Sequence, residues 1–351
     1  MGIVIALLVL SLLIFFHELG HFTAARLLGV HVEVFSIGFG KKLWRKRIGD
    51  TEWAVSAIPL GGYVKMKGQD DLDPTKRIDA PDSYNAKKPW QRIVILLAGP
   101  FANLLTAFVL YYIIALSGVP QIEPYVGKVA PDTPAAHAKI QKGDKIVAID
   151  GKTIRRWDDI GEAINASSRR DINLQIERNG TRINLSLTPK IIETKNIFGE
   201  TVSKRIIGIA PQKRIVTYRY DPWHGLGYAW QQTVDASQLI FVSIQKLITG
   251  AVGTENLGGV ITIVDITAKA SHEGILALLW FTALISVNLG ILNLLPIPAL
   301  DGGHIVFNVY EMITRRAPSE AVLYYLTVAG WMILLGLMGL GLYNDVHRLM
   351  H

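Results

Sequence analysis

The chain has 351 residues, half of them hydrophobic, a formal net charge of +7 and no cysteine, and its mean hydropathy of +0.30 is high for a soluble protein. The absence of cysteine excludes disulfides and thiolate chemistry. The Lys and Arg residues cluster beside apolar blocks instead of spreading over a face with interleaved aromatics, so no nucleic-acid partner is expected.

The first apolar block, residues 3–16, reaches the roughly 20 residues needed to cross a bilayer only if residues 17–21 are counted with it. No basic stretch precedes it and no A-x-A site follows, so it reads as a retained span and not as a cleaved signal peptide. It ends in "FFHELGHFTAAR", residues 15–26. In a helix, His17 and His21 lie four apart on one face and can offer two imidazoles to one metal ion, with Glu18 beside the first, in the pattern H-E-x-x-H. Zinc held by three protein ligands with one open position lowers the pKa of bound water to about 7, and a neighbouring glutamate takes the proton during attack on a carbonyl. Each ionisable group in a spanning helix costs about 2.5–3.5 kcal/mol, which favours a functional over an incidental origin for these residues.

Between the first and second blocks, Trp53, Val55 and Ala57 alternate with polar or small residues, and "PLGG" (residues 59–62) is turn chemistry. Two short strands joined at that turn are expected, as a hairpin at or near the membrane. The following stretch, residues 69–89, is polar and turn-rich and reads as a solvated loop. The second block, from Arg92 to Gly118, carries Pro100 and Asn103 mid-span and predicts a kinked helix packed inside a bundle. From 119 to 192 short strands and a helix near Trp157 predict a small α+β domain. The stretch 193–273 reads as a linker with amphipathic helices at the membrane surface, Trp223, Trp230, Val234, Leu239, Phe241 and Ile244 alternating with polar residues.

The third block, near 275–297, leads into "NLLPIPALDGGH", and the fourth spans about 321–343. Pro296 and Pro298 break the third helix locally, and the carboxylate of Asp301 needs a partner at that depth. Asp301 is therefore the candidate third zinc ligand. His304 is left outside the ligand set, because a fourth protein ligand would close the position that catalysis requires. Eleven Lys or Arg lie between Lys41 and Lys88, and Arg315 and Arg316 connect the last two blocks; the positive-inside rule assigns both regions to the cytoplasm. Four spans follow, with both termini and the inserted domain outside and the metal site near the cytoplasmic leaflet. The expected organisation is a membrane part over 1–118, the inserted domain over 119–192, the linker and helices over 193–273, and a second membrane part over 274–351.

H-E-x-x-H in the first span paired with N-x-x-P-x-P-x-L-D-G in a later one resembles the site-2 protease family of intramembrane zinc metalloproteases, and in particular its bacterial regulator-of-sigma-E branch. "SIGFG" (36–40), "PLGGYVKMKG" (59–68), "LAGPFANLL" (97–105), "LITG" (247–250) and "LYNDVHRL" (342–349) extend the resemblance over nearly the whole chain. It implies a multi-pass α-helical protein of the bacterial inner membrane, with His17, His21 and Asp301 on one zinc ion and Glu18 as general base. It also implies a membrane-associated β-hairpin around Gly61 and Gly62 that offers a strand edge to substrate, and Asn293, with Pro296 and Pro298 in the same motif, at the substrate backbone.

"VGKVAPDTPAAHAKIQKGDKIVAIDGKTI" is similar to a bacterial PDZ domain, whose groove would fall at Val126, Gly127, Lys128 and Val129 and take periplasmic peptide termini. The sequence departs from that branch in having room for one such domain where two in tandem are common. The implied function is cleavage of a single-pass membrane protein, an anti-sigma factor already trimmed by another protease or a remnant signal peptide, by a monomer in contact with membrane lipids. A competing class is a non-catalytic zinc-stabilised scaffold that recruits periplasmic peptides. Glu18 discriminates, since a structural zinc site has no use for a carboxylate beside a ligand histidine. Zinc transport would call for a chain of ligands across the membrane, and the sequence has one cluster.

Overall fold

The computed structural model describes residues 2–69, 78, 80–196 and 198–350. In chain order the elements are α1 (Gly2–Leu27), β1 (Val32–Ile48), β2 (Thr51–Met66), α2 (Pro89–Ser117), β3 (Val119–Ile122), β4 (Val126–Val129), α3 (Pro134–His137), β5 (Lys145–Ile149), β6 (Lys152–Thr153), α4 (Trp157–Ala166), β7 (Ile172–Arg178), β8 (Thr181–Leu187), β9 (Lys190–Lys195), β10 (Thr201–Ile206), β11 (Ile209–Pro211) and β12 (Ile215–Tyr218). The chain finishes with α5 (Pro222–Ile248), α6 (Val260–Glu273), α7 (Ile275–Asn293), α8 (Asp301–Thr314) and α9 (Glu320–Met350). Four of these helices, α1, α2, α7 and α9, are long and apolar enough to cross a membrane, and they coincide with the four apolar blocks. Contacts divide the chain into one unit of residues Met1–Ile114 and His224–His351 and a second of Ala115–Trp223.

In the first unit, α1 serves several neighbours at once. Phe15, Leu19 and Phe22, spaced along one stripe, pack on the β1–β2 sheet around Phe35, which stacks on Trp53 with ring centroids 4.5 Å apart. Burying a ring such as that of Phe35, 1% exposed, contributes about 1.5–3 kcal/mol. On another side, a Cβ at Gly20 would overlap the Ala98 carbonyl and lie 2.9 Å from the Ala102 Cβ. Glycine there lets α1 and α2 approach closely.

The sheet corrects the hairpin expectation. The chain does reverse near residues 58–61, but the strands on either side of that reversal are not neighbours. Residues 34–37 of β1 lie between them, Phe35 being opposite Trp53 on one side and Val64 on the other. The second half of β1 runs back along Thr51 to Ser56, and the tight hairpin turn falls at Gly49 and Asp50. Gly38, at φ +88° with the Ile58 and Ser56 carbonyls 2.8 and 3.0 Å from a Cβ built there, sits at the irregularity where β1 changes partner. The expected solvated loop over 69–89 lies partly outside the described residues, and its described end is not solvated throughout. Ser83 and Tyr84 are buried, and Tyr84 packs with Val30, Val32 and Phe35.

α2 is continuous through Pro100, and α7 packs on it. Ser286 donates to the Asn103 carbonyl at 2.7 Å, and a Cβ at Gly290 would sit 3.1 Å from the Pro100 carbonyl. α7 ends at Asn293, well before Asp301. Asp301 is the first residue of α8, after a seven-residue break that Pro296 and Pro298 enforce by withholding two backbone donors. Gly302 and Gly303 press against the carbonyls of that break, where any Cβ would collide. Arg92 of α2 and Glu311 of α8 are paired at 2.7 Å. At the far end of α9, Asp345 accepts from the backbone N–H groups of Gly259 at 2.9 Å, Ile261 at 2.9 Å and Thr262 at 3.1 Å, and so caps α6 from a distant helix.

The second unit is an α+β fold. A four-stranded sheet of order β6-β5-β7-β8 packs Ile146, Ile149, Ile172, Leu174 and Ile176 against Ile160 and Ile164 of α4. The unit runs past the expected boundary at 192, because β11 pairs with β4 and β12 pairs with β3, while β9 and β10 pair with each other. The expected groove strand, Val126, Gly127, Lys128 and Val129, is therefore flanked within the unit. Its register sets Val129 opposite Ile209 and Lys128 opposite Ala210, and Val126 donates to the Asp144 carbonyl on its other side. Among the described residues the outer edge belongs to β11. The "KGDKIVAIDG" stretch is pinned by Asp144, 1% exposed, which accepts from Arg178 Nε and Nη2 at 2.7 Å each.

Asp150 closes the same sheet at its end by accepting from the Asn173 N–H at 2.9 Å and the Ser167 hydroxyl at 2.7 Å. Those bonds, the backbone one first, hold its carboxyl below the usual carboxylate range. A carboxyl depressed in the folded state stabilises above its ordinary pKa of about 3.9 and loses that contribution as pH falls through the lower value. The thermal unfolding midpoint of the Ala115–Trp223 unit within the full chain should therefore drop as pH falls below about 4, and Asp150→Asn should flatten that part of the profile.

Candidate metal centre

His17 and His21 lie one turn apart on α1, their rings 4.8 Å apart and edge to face. Each ring is aimed by α2: His21 Nδ1 donates to the Ile95 carbonyl at 2.8 Å, and His17 Nδ1 lies 3.1 Å from the Asn103 side-chain amide. Both Nε2 atoms consequently face the same point. They are 3.2 Å apart, and Asp301 Oδ2 lies 3.4 Å from each.

That triangle suits a tetrahedral ion. Ligand bonds of about 2.0–2.1 Å give ligand-to-ligand edges of about 3.3–3.4 Å, and two imidazole nitrogens with one carboxylate oxygen are a common catalytic zinc donor set. The three residues are also the one group of metal-ligating side chains found among the described residues. Burial is substantial, with side-chain exposures of 13%, 9% and 17% for His17, His21 and Asp301. The position of Asp301 at the start of α8 adds the favourable end of a helix dipole to the carboxylate.

Two glycines make room for this geometry. A Cβ at Gly99 would overlap the His21 ring and come within 2.8 Å of His17 Cε1, so α2 can lie against both histidines only where it has no side chain. On the opposite side, a Cβ at Gly62 would sit 3.1 Å from Glu18 Cγ and 2.9 Å from the Ser36 carbonyl. The β2 backbone is thereby brought up to the expected base.

His17, Glu18, His21 and Asp301 line one cavity of about 850 Å³, together with Gly61, Gly62 and the strand that follows, Tyr63 to Met66. Asn293 lines it too, its amide 3.4 Å from His17 Nε2. Pro296 and Pro298 are not in the lining; they shape the break that delivers Asp301, and the neighbouring Ala299 and Leu300 line the cavity instead. His304 borders the cavity but stacks edge to face on Phe307 and stands outside the ligand cluster. Asn103 and Gly99, expected only as parts of a kinked span, prove to be contacts of His17 and His21. Trp331 of α9 also lines the cavity, with nothing in its local sequence to signal it.

The profile of Peptidase family M50 matches residues 5–337. The chain belongs to that family. As an M50 peptidase the enzyme is a zinc metalloprotease, consistent with the candidate donor set and with the carboxylate of Glu18 in the same cavity. Among its relatives, a Campylobacter jejuni protein named "putative zinc metalloprotease" is 47% identical over 342 residues, covering 97% of this chain and 92% of its own. A Helicobacter pylori protein of the same description is 41% identical over 353 residues, covering 99% of each chain. The PDZ domain of an SdrC-like protein from Listeria innocua is 20% identical and covers 26% of this chain and 96% of its own, with a TM-score of 0.21, too low to carry the fold by itself.

Gly99→Val should displace the His21 ring and weaken zinc binding at least about tenfold, by analogy with the loss of other ligand-orienting contacts. The check is metal content of the purified enzyme after competition with a chelator of known affinity.

Proposed function

We propose that this M50 peptidase is an intramembrane endopeptidase that hydrolyses a peptide bond within the transmembrane segment of a single-pass membrane protein. The observation that carries the proposal is that the ligand triangle, Glu18 and the β2 strand edge share one cavity between helices apolar enough to span a bilayer. Among the described residues, residues 62–66 of β2 pair with β1 on one side alone. A substrate strand can add to the other side. This suits a substrate whose peptide groups are satisfied in a helix and must be exposed in extended form before attack.

When bound, zinc supplies Lewis-acid activation of water and of the scissile carbonyl. His17, His21 and Asp301 would hold it. Glu18 takes the proton from the attacking water and returns it to the leaving nitrogen, which needs a carboxylate within reach of both. Gly61 and Gly62 keep the strand edge free of side chains beside Glu18, and the Asn293 amide donates to the substrate backbone.

In the proposed orientation the basic loop after α1 and the Arg315–Arg316 connection are cytoplasmic. The termini and the Ala115–Trp223 unit are then periplasmic, the enzyme sits in a bacterial inner membrane, and the metal lies near the cytoplasmic leaflet. The similarity of residues 126–154 to PDZ sequences, with an edge on β11 that is free among the described residues, supports a peptide-binding role for that unit toward periplasmic termini. The substrates proposed are anti-sigma-factor-like proteins trimmed beforehand and remnant signal peptides. All ligands and the base come from one chain, which supports a monomer surrounded by lipid.

Glu18→Gln should keep stoichiometric zinc and lower cleavage of a model transmembrane substrate in detergent by about 10²–10⁴-fold. Cleavage surviving with zinc bound would remove Glu18 from the mechanism.

A further inference from the structure

Asn103 lies in the middle of α2, fully buried. Its side-chain nitrogen Nδ2 is placed 3.1 Å from His17 Nδ1, its backbone carbonyl accepts from Ser286 of α7 at 2.7 Å, and a Cβ at Gly290 of α7 would touch its own Cβ at 3.4 Å. The residue is thus fixed between α1 and α7. A side-chain amide at this depth costs free energy unless it is used, and one of its two polar atoms, Oδ1, has no hydrogen-bond partner among the described residues.

The protonation of His17 decides which atom the amide must present. His17 Nε2 faces His21 Nε2 and Asp301 Oδ2, so its lone pair has to be on Nε2 for the ring to act as a ligand. A neutral imidazole with a free Nε2 carries its proton on Nδ1. Nδ1 is then a donor, and an amide N–H facing it would oppose two donors. A half-turn about the Asn103 Cβ–Cγ bond exchanges the nearly isosteric oxygen and nitrogen and gives Nδ1–H an acceptor. His21 is held in the same way, its Nδ1 donating to the Ile95 carbonyl at 2.8 Å.

We infer that Asn103 is a positioning residue of the metal centre: its side-chain oxygen accepts from His17 Nδ1–H, fixing the tautomer that leaves Nε2 free for the ion. The inference rests on the zinc-peptidase reading and assigns to α2 the control of both histidine ligands, one through a backbone carbonyl and one through a side chain. It also accounts for an asparagine where an apolar residue would satisfy the lipid-depth environment better.

The test compares zinc affinity, by chelator competition, of the parent with Asn103→Leu and Asn103→Asp in the full chain, alongside thermal unfolding in the same detergent. Leu removes the acceptor at similar volume and should lower zinc affinity by about 10–100-fold, the usual effect of losing a partner that orients a ligand histidine. Asp keeps an acceptor and should stay within a few-fold of the parent. If the Leu variant does not fold, the Asp variant decides alone. An Asp variant as weak as Leu, or weakened tenfold by itself, overturns the proposal, because an amide that donates or merely packs would not be replaced by a carboxylate. Parent-like zinc binding by Asn103→Leu overturns it as well. A parent that takes up no zinc overturns the metal reading and this inference together, a result distinct from zinc binding that is indifferent to residue 103.

Discussion

Everything in the membrane unit depends on one constraint: three side chains able to ligate a metal must be held together among helices whose other surfaces are apolar. A lone His or Asp at such depth costs several kcal/mol, and the structure offsets this by converging His17, His21 and Asp301 on one point. The convergence then dictates the remaining features. α2 must come close enough to aim both rings, which needs Gly20 and Gly99. α7 must stop short so that a carboxylate at the start of α8 can enter from the opposite side, which the two prolines enforce.

The same constraint explains why a β-sheet stands beside the spanning helices. The proposed hydrolysis inside a bundle calls for an extended substrate next to Glu18, and the approach of β2 to Glu18 is possible because residue 62 has no side chain. The Phe15, Phe22, Phe35 and Trp53 cluster anchors that sheet to α1. The helix that carries both candidate histidine ligands therefore also positions the strand.

Much of the centre was legible in the sequence because its signals are local. H-E-x-x-H is a single helical turn, and Asp301 was exposed as a candidate by the cost of a charge beside two prolines in an apolar block. What the sequence concealed is what depends on contacts between distant residues. The pairing of His17 with Asn103 spans 86 residues and leaves no periodicity, so Asn103 looked like a detail of a kinked span. The reversal at residues 59–62 was readable from turn chemistry, but its flanking strands are separated by β1, about twenty residues earlier in the chain, which no local alternation reveals. The extent of the second unit is hidden for the same reason: Ile209 to Pro211, some eighty residues after β4, pair with that strand, and their three-residue run carries no strand signal of its own.

The claim on which this account turns is that the ion sits on two imidazoles and one carboxylate. Zinc X-ray absorption of the purified, stoichiometrically loaded enzyme tests it most directly. The account predicts four nitrogen or oxygen scatterers at about 2.0–2.1 Å, with the multiple-scattering signature of two imidazoles and the loss of one of them in His21→Ala. A shell containing no imidazole, or one unchanged by that substitution, would contradict it.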